Sequence, residues 1–297
     1  MDANRLFCFG LGYSALRLAE ILRTEGWRVA GTTRDAEKAE ALRARGLEAF
    51  IFSPGRPLEN PGQALAGASH VLSSVPPGPE GDPVLAAHAA DLADAAPLWT
   101  GYLSTTGVYG DRGGGWVDED SPLEPATGRG RRRLAAEAGW RNWAADAQRP
   151  LCIFRLAGIY GPGRNALRTV AEGRAKRIEK PGQVFSRIHV EDIARVLRAS
   201  MARPGTDGVF NVCDDEPAPP ADPVTFACEL LGVEPPPLVP FEEAARDMPE
   251  MGRSFYAESK RCRNDRIKKA LGVTLKYPTY REGLRALFEA GEGQPGK

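Results

Sequence analysis

Short apolar runs alternate with amphipathic helical patterns through the first half of this chain, and that alternation constrains the fold more than any other feature. Strands are expected at Arg5–Phe9, Trp27–Thr33, Leu47–Phe52, Ser69–Val75 and Leu98–Ser104. Between them, 14–23, 36–45 and 83–96 carry helical spacing of apolar or alanine residues, and Gly26 and Gly46 act as stops after the first two. A helix over 131–145 then feeds the continuous apolar run Leu151–Leu156. Apolar strands without polar alternation, separated by helices, imply a parallel sheet covered on both faces. The fold class expected is therefore α/β, a doubly wound parallel sheet.

After Gly161 the pattern loosens. A helix over 190–202 and a strand at Val209–Val212 remain clear, and Asp222-Pro223 reads as the capped start of a helix closed by Gly232. Asn264 and Thr279 read as caps of two later helices, and residues 291–297 as a frayed end. This divides the chain into residues 1–160, a sheet domain, and residues 161–297, a smaller lobe interleaved with the sheet. The 39 basic and 39 acidic residues cancel, which argues against nucleic acid as a partner. No run approaches the roughly 20 apolar residues of a membrane span. Five scattered cysteines without paired spacing suggest reduced thiols in the cytoplasm, and with three isolated histidines they offer no metal site. The oligomeric state has no signal in the sequence, which is compatible with a homodimer.

The motif Gly10-Leu-Gly12-Tyr13-Ser14-Ala15 lies between the first strand and first helix. Gly10 permits a tight turn, and Gly12 lets the backbone approach a pyrophosphate held at the helix N-terminus. Strand, motif, helix and second strand occur at Rossmann spacing, so a dinucleotide is the expected cofactor. The second strand ends Thr33-Arg34-Asp35. A carboxylate there would bind the ribose hydroxyls of NAD, whereas Arg34 suits a 2′-phosphate. NADP is thus expected over NAD; the plainer reading is that Asp35 merely caps the next helix and Arg34 is solvated, and an Asp35 facing the ribose would favour NAD. Ser74, at the exit of the fourth strand, is a further candidate contact.

Several segments together resemble the extended short-chain dehydrogenase/reductase superfamily, of the NAD(P)-dependent epimerase/dehydratase type. They are the glycine motif, Leu103-Ser-Thr-Thr-Gly-Val-Tyr-Gly110, Arg155-Leu-Ala-Gly-Ile-Tyr-Gly-Pro-Gly163, Arg187-Ile-His-Val-Glu-Asp-Ile-Ala194 and Asn211-Val-Cys-Asp-Asp-Glu-Pro217. The resemblance implies a Rossmann sheet and hydride transfer, with a Ser or Thr polarising the substrate oxygen. That position maps to Thr105, with Ser104 as its neighbour. The family's Tyr and Lys, four residues apart, map to Arg129 and Arg133. A guanidinium, with a pKa above about 12, cannot shuttle protons near neutrality. The chain is thus expected to be an atypical member. Asp and Glu do not follow the Ser/Thr position, where Thr106 and Gly107 stand, so sugar dehydration by the family's mechanism is not expected.

Tyr109 and Tyr160 remain as phenols near the expected site, although their motifs also shape loops. His189 reads as a helix cap rather than a catalyst, and Arg155 and Arg187 as anion contacts or buried structural partners. Asp118, Glu119 and Asp120 read as a solvated acid cluster. Arg129 and Arg133 read either as a solvated helix face or as cleft residues binding an anion, the alignment favouring the cleft for Arg133. The function expected is hydride transfer on a small polar substrate bound between sheet and lobe. The alternative is a non-catalytic dinucleotide sensor, which the missing Tyr favours.

Overall fold

The computed structural model describes residues 4–203 and 205–294. Seven strands form one sheet: β1 (Arg5–Phe9), β2 (Arg28–Thr33), β3 (Glu48–Ile51), β4 (His70–Ser73), β5 (Trp99–Thr105), β6 (Cys152–Leu156) and β7 (Gly208–Val212). Their order is β7-β6-β5-β4-β1-β2-β3, and every neighbouring pair is parallel. The order reverses between β1 and β4. In a doubly wound sheet, ligands bind at the carboxyl ends of the strands flanking such a switch point.

The lack of polar alternation in the strands has a direct cause. Leu6 and Cys8 face one apolar cluster, and Phe7 and Phe9 face the other. Leu103 and Tyr102 divide in the same way on β5, as do Phe154 and Ile153 on β6. Both sheet faces are therefore core, covered by helices α1 (Tyr13–Thr24), α2 (Ala36–Ala44), α3 (Pro83–Ala95), α4 (Gly128–Ala147) and α5 (Val190–Met201).

The chain beyond residue 160 returns to the sheet through α5 and β7. Cys262, Ile267, Leu271, Val273 and Leu275 also join the core of the sheet, and other segments form a lobe around Tyr160, Leu167, Ala227 and Leu284. Its helices include α6 (Asp222–Leu231) and α7 (Tyr280–Glu289), the latter closed at its start by a capping box of Thr279 and Glu282. Three expectations are corrected here. Asp222 is already inside α6, whose cap is Ala221 with no side-chain bond. Asn264 holds the N-cap position of the helix Asp265–Leu271 but makes no side-chain cap bond; its Nδ2 donates to the Cys213 carbonyl and to Asp215, 2.8 and 2.6 Å away. Residues 291–294 are packed rather than frayed, because the Glu292 carboxylate accepts from Gly163 N and Asn165 Nδ2. Residues 295–297 lie outside the described residues.

Candidate functional site

The glycine turn satisfies its own backbone donors and leaves the start of α1 without a side-chain cap. Gly10 sits at φ +86°, and a Cβ there would come within 2.8 Å of Ser74 Oγ. Thr32 pins the turn, its Oγ1 accepting from Gly10 N and its carbonyl from Leu11 N. Ser74 Oγ donates to the Gly10 carbonyl at 2.5 Å, so this side chain braces the turn. Gly12 is different. It caps α1 at φ −92° without a side-chain bond, and a Cβ built on it meets nothing within 4 Å. Neither backbone conformation nor packing requires a glycine at position 12. The free space over an uncapped helix start fits the pyrophosphate of a dinucleotide. Ser14 is buried in the first turn, and the Tyr13 hydroxyl donates to the Pro162 carbonyl at 2.9 Å, tying the turn to the 161–165 loop.

At the end of β2, Thr33 is buried and Arg34 is exposed. The Asp35 carboxylate caps α2 by accepting from Lys38 N at 2.8 Å. It is thereby committed to the helix, while no side-chain hydrogen bond or ion pair engages Arg34 among the described residues.

The turn after β5 opens onto a cavity of about 600 Å³ between the sheet and the C-terminal lobe. Thr105 lines it, with Oγ1 accepting from Gly107 N. Ser104 does not serve the cavity; it is buried and donates to Glu137 Oε1 at 2.5 Å. Arg129 also lines the cavity, its guanidinium 4.5 Å from the Phe255 ring centroid. Arg133 departs from the expected cleft position. Its guanidinium turns back onto β5, donating to the Leu103 carbonyl and to Tyr102 Oη, and it is absent from the cavity wall. One helical turn separates residues 129 and 133, but the Leu103 carbonyl on β5 captures the second.

Neither Tyr109 nor Tyr160, the two phenols expected near the site, is available for proton transfer. Tyr109 is fully buried, donates to Asn211 Oδ1 at 2.7 Å and accepts from Arg155 Nη1 at 2.9 Å, and burial pushes its pKa up. Tyr160 touches the cavity, but its hydroxyl points to the Thr279 carbonyl, and burial again raises its pKa. Arg155 is the centre of a buried network. It holds Glu137 through two bonds of 3.1 and 2.8 Å, so it is a structural partner rather than an anion site. Glu119 corrects the reading of a solvated acid cluster: its side chain is buried and accepts from Asn211 N at 2.8 Å. Arg187 donates to the Phe185 and Ala218 carbonyls. His189 caps α5 by accepting from Glu191 N; burial lowers its pKa to about 4, keeping the ring neutral.

Sequence reasoning missed an ion pair in the cavity. Lys260 Nζ donates to Glu258 Oε2 at 2.7 Å and to the Gly110 carbonyl at 2.8 Å. Both side chains are about nine-tenths buried, and both line the cavity. Glu258 Oε1 is buried without a hydrogen-bond partner. No motif surrounds these residues, and 150 positions separate Lys260 from Gly110. The one local signal is charged residues just before the short strand Arg261–Cys262.

Comparison with known proteins agrees with this architecture. Residues 85–213 match the model of the NAD dependent epimerase/dehydratase family. A solved structure, of a functionally unknown conserved protein from Silicibacter pomeroyi, shares 51% identity with a TM-score of 0.89, covering 98% of this chain and all of that one. Protein YeeZ of Escherichia coli K12 is 29% identical over 282 residues, 91% of this chain and 94% of YeeZ. A Streptomyces protein named 3-diazoavenalumate denitrifying reductase is 30% identical over 185 residues, 57% of this chain and 58% of that protein. With the parallel sheet, its switch point and the glycine turn in place, the fold is Rossmann-like, and its segment 85–213 is similar to the NAD dependent epimerase/dehydratase family.

Proposed function

We propose that the protein is an NADP(H)-dependent oxidoreductase or epimerase-like enzyme that moves hydride to or from a small polar substrate. The observation that carries this reading is the uncapped start of α1 beneath the open space at Gly12. In this reading Gly10, Gly12, Tyr13 and Ser14 hold the pyrophosphate, and Thr33 and Arg34 hold the adenosine ribose with its 2′-phosphate. Ser74 keeps the turn in shape. When bound, the nicotinamide supplies or accepts the hydride. Thr105 polarises the substrate oxygen, Arg129 orients an anionic group, and Arg133 fixes the end of β5 from behind. Residues 1–160 carry most of the cofactor site and residues 161–297 most of the substrate wall. Five buried, unpaired cysteines support a cytoplasmic location.

The cofactor assignment is tested by calorimetry. NADP(H) is expected to bind at least tenfold more tightly than NAD(H). Arg34→Ala should remove that preference, because a charge-assisted contact contributes about 1.5–3 kcal/mol. Equal affinities in the wild type, or a variant that keeps its preference, would contradict the role of Arg34.

A specific observation also favours a second reading, a dinucleotide sensor without turnover. Position 129 lacks a phenol, and the hydroxyls of Tyr109 and Tyr160 are both engaged elsewhere. Incubation of NADPH with a panel of carbonyl compounds separates the two: an enzyme oxidises the cofactor on at least one of them, and a sensor binds it without oxidation.

A further inference from the structure

The cavity wall has an unusual composition for a site that reads a sugar. Among the described residues lining it there is no Asn, Gln, Asp or His, the planar polar groups that pair with arrays of hydroxyls. Aromatic rings take their place. Phe185 and Tyr256 meet edge to face with centroids 5.4 Å apart, and Phe255 stands half-exposed at the rim. The charges are also one-sided: Arg129, Arg187 and Lys260 against the single carboxylate of Glu258.

These cations are not equivalent. Arg187 spends its donors on backbone carbonyls. Lys260 is bound to Glu258 and Gly110, which leaves one ammonium proton, beside the unpartnered Glu258 Oε1. Arg129 is exposed and lies over the Phe255 ring, with no carboxylate partner among the described residues. A stacked guanidinium still has its in-plane donors free for a bidentate acceptor. The cavity thus offers a fork for an anion, aromatic faces, and a buried donor–acceptor pair.

We infer that this cavity takes an aromatic carboxylic acid bearing a carbonyl or hydroxyl group, rather than a nucleotide sugar. Its carboxylate pairs with Arg129, its ring lies against Phe255, Tyr256 and Phe185, and its oxygen function meets the Lys260–Glu258 pair. This deepens the hydride-transfer reading and rests on it for the chemistry of the bound molecule, though not for its binding.

The test is calorimetry on the full chain, with and without saturating NADP, using 4-formylbenzoate, benzaldehyde and UDP-glucose as titrants. 4-Formylbenzoate should bind saturably, at least tenfold more tightly than benzaldehyde, with UDP-glucose weaker still. Arg129→Ala should erase the advantage of the carboxylate, and Phe255→Ala should weaken both aromatic compounds alike. Both side chains are exposed, so neither variant threatens the fold. Tighter binding of UDP-glucose, no saturation by 4-formylbenzoate at millimolar concentration, or an unchanged preference in Arg129→Ala would overturn the inference. Binding of 4-formylbenzoate without NADPH oxidation would count against hydride transfer and leave the ligand class standing. Reduction of NADP by UDP-glucose, with none of the aromatic compounds binding, would do the reverse.

Discussion

Arg155→Met is expected to destabilise the protein by about 3–5 kcal/mol, because it strands the Glu137 carboxylate in the core without its main partner. Glu137 is fully buried, and its other contacts are Ser104 and the guanidinium of Arg141 at 3.5 Å, which cannot replace a bidentate pair. The loss extends further, since Arg155 Nη1 also bonds Tyr109, which in turn bonds Asn211 on β7. Three strands and α4 are joined through this one guanidinium. At about 2–4 °C per kcal/mol for a domain somewhat smaller than this one, thermal unfolding should shift down by roughly 6–20 °C. The double variant Arg155→Met/Glu137→Leu should recover much of the loss, because it removes both charges. A single variant that melts within 2 °C of the wild type, by the same approximate scaling, would mean the network is not held by this pair.

Gly12→Val should produce the opposite pattern: a nearly unchanged fold and a lost ligand. The backbone at Gly12 is extended, and the space its side chain would enter is empty. Valine caps a helix poorly, which costs at most about 1 kcal/mol. NADP affinity, however, should fall at least ~100-fold, or about 2.7 kcal/mol, because the side chain occupies the place of the pyrophosphate. Gly10 provides the contrast. There the positive φ and the approach to Ser74 Oγ make any side chain strained, so Gly10→Val should lower the melting temperature as well. A folded Gly12→Val protein with unchanged NADP affinity would remove the basis for the cofactor site.

The sheet was legible because its signals are local. Buried parallel strands read as continuous apolar runs, and the glycine turn sits between the first strand and helix with its spacing intact. Asp35, standing before a helical run, was open between capping it and facing the ribose, and the structure shows the cap. What could not be read were the partners of polar side chains brought together from distant segments. Glu119 looked solvated beside Asp118 and Asp120, yet the backbone N–H of Asn211, 92 residues later, pulls it inside. Arg133 aligned with a lysine position, but alignment could not reveal that the Leu103 carbonyl would take its donors. Lys260 and Glu258 carried no motif, and their place in the cavity depends on the lobe folding back against Gly110. Tyr109 stood in a motif that shapes a loop as well as near the expected site, and its burial between Arg155 and Asn211 assigns it to the loop.

Hydride transfer in this cleft can be followed directly with an isotope. NADPH deuterated at the transferable position of the nicotinamide is incubated with the protein and a panel of aldehydes and ketones that includes 4-formylbenzoate, and the products are weighed by mass spectrometry. Deuterium is expected on the former carbonyl carbon of at least one compound, in step with NADPH oxidation, and that transfer should be lost in Gly12→Val. Tight NADPH binding with no deuterium in any product would contradict hydride transfer and leave the sensor reading in its place.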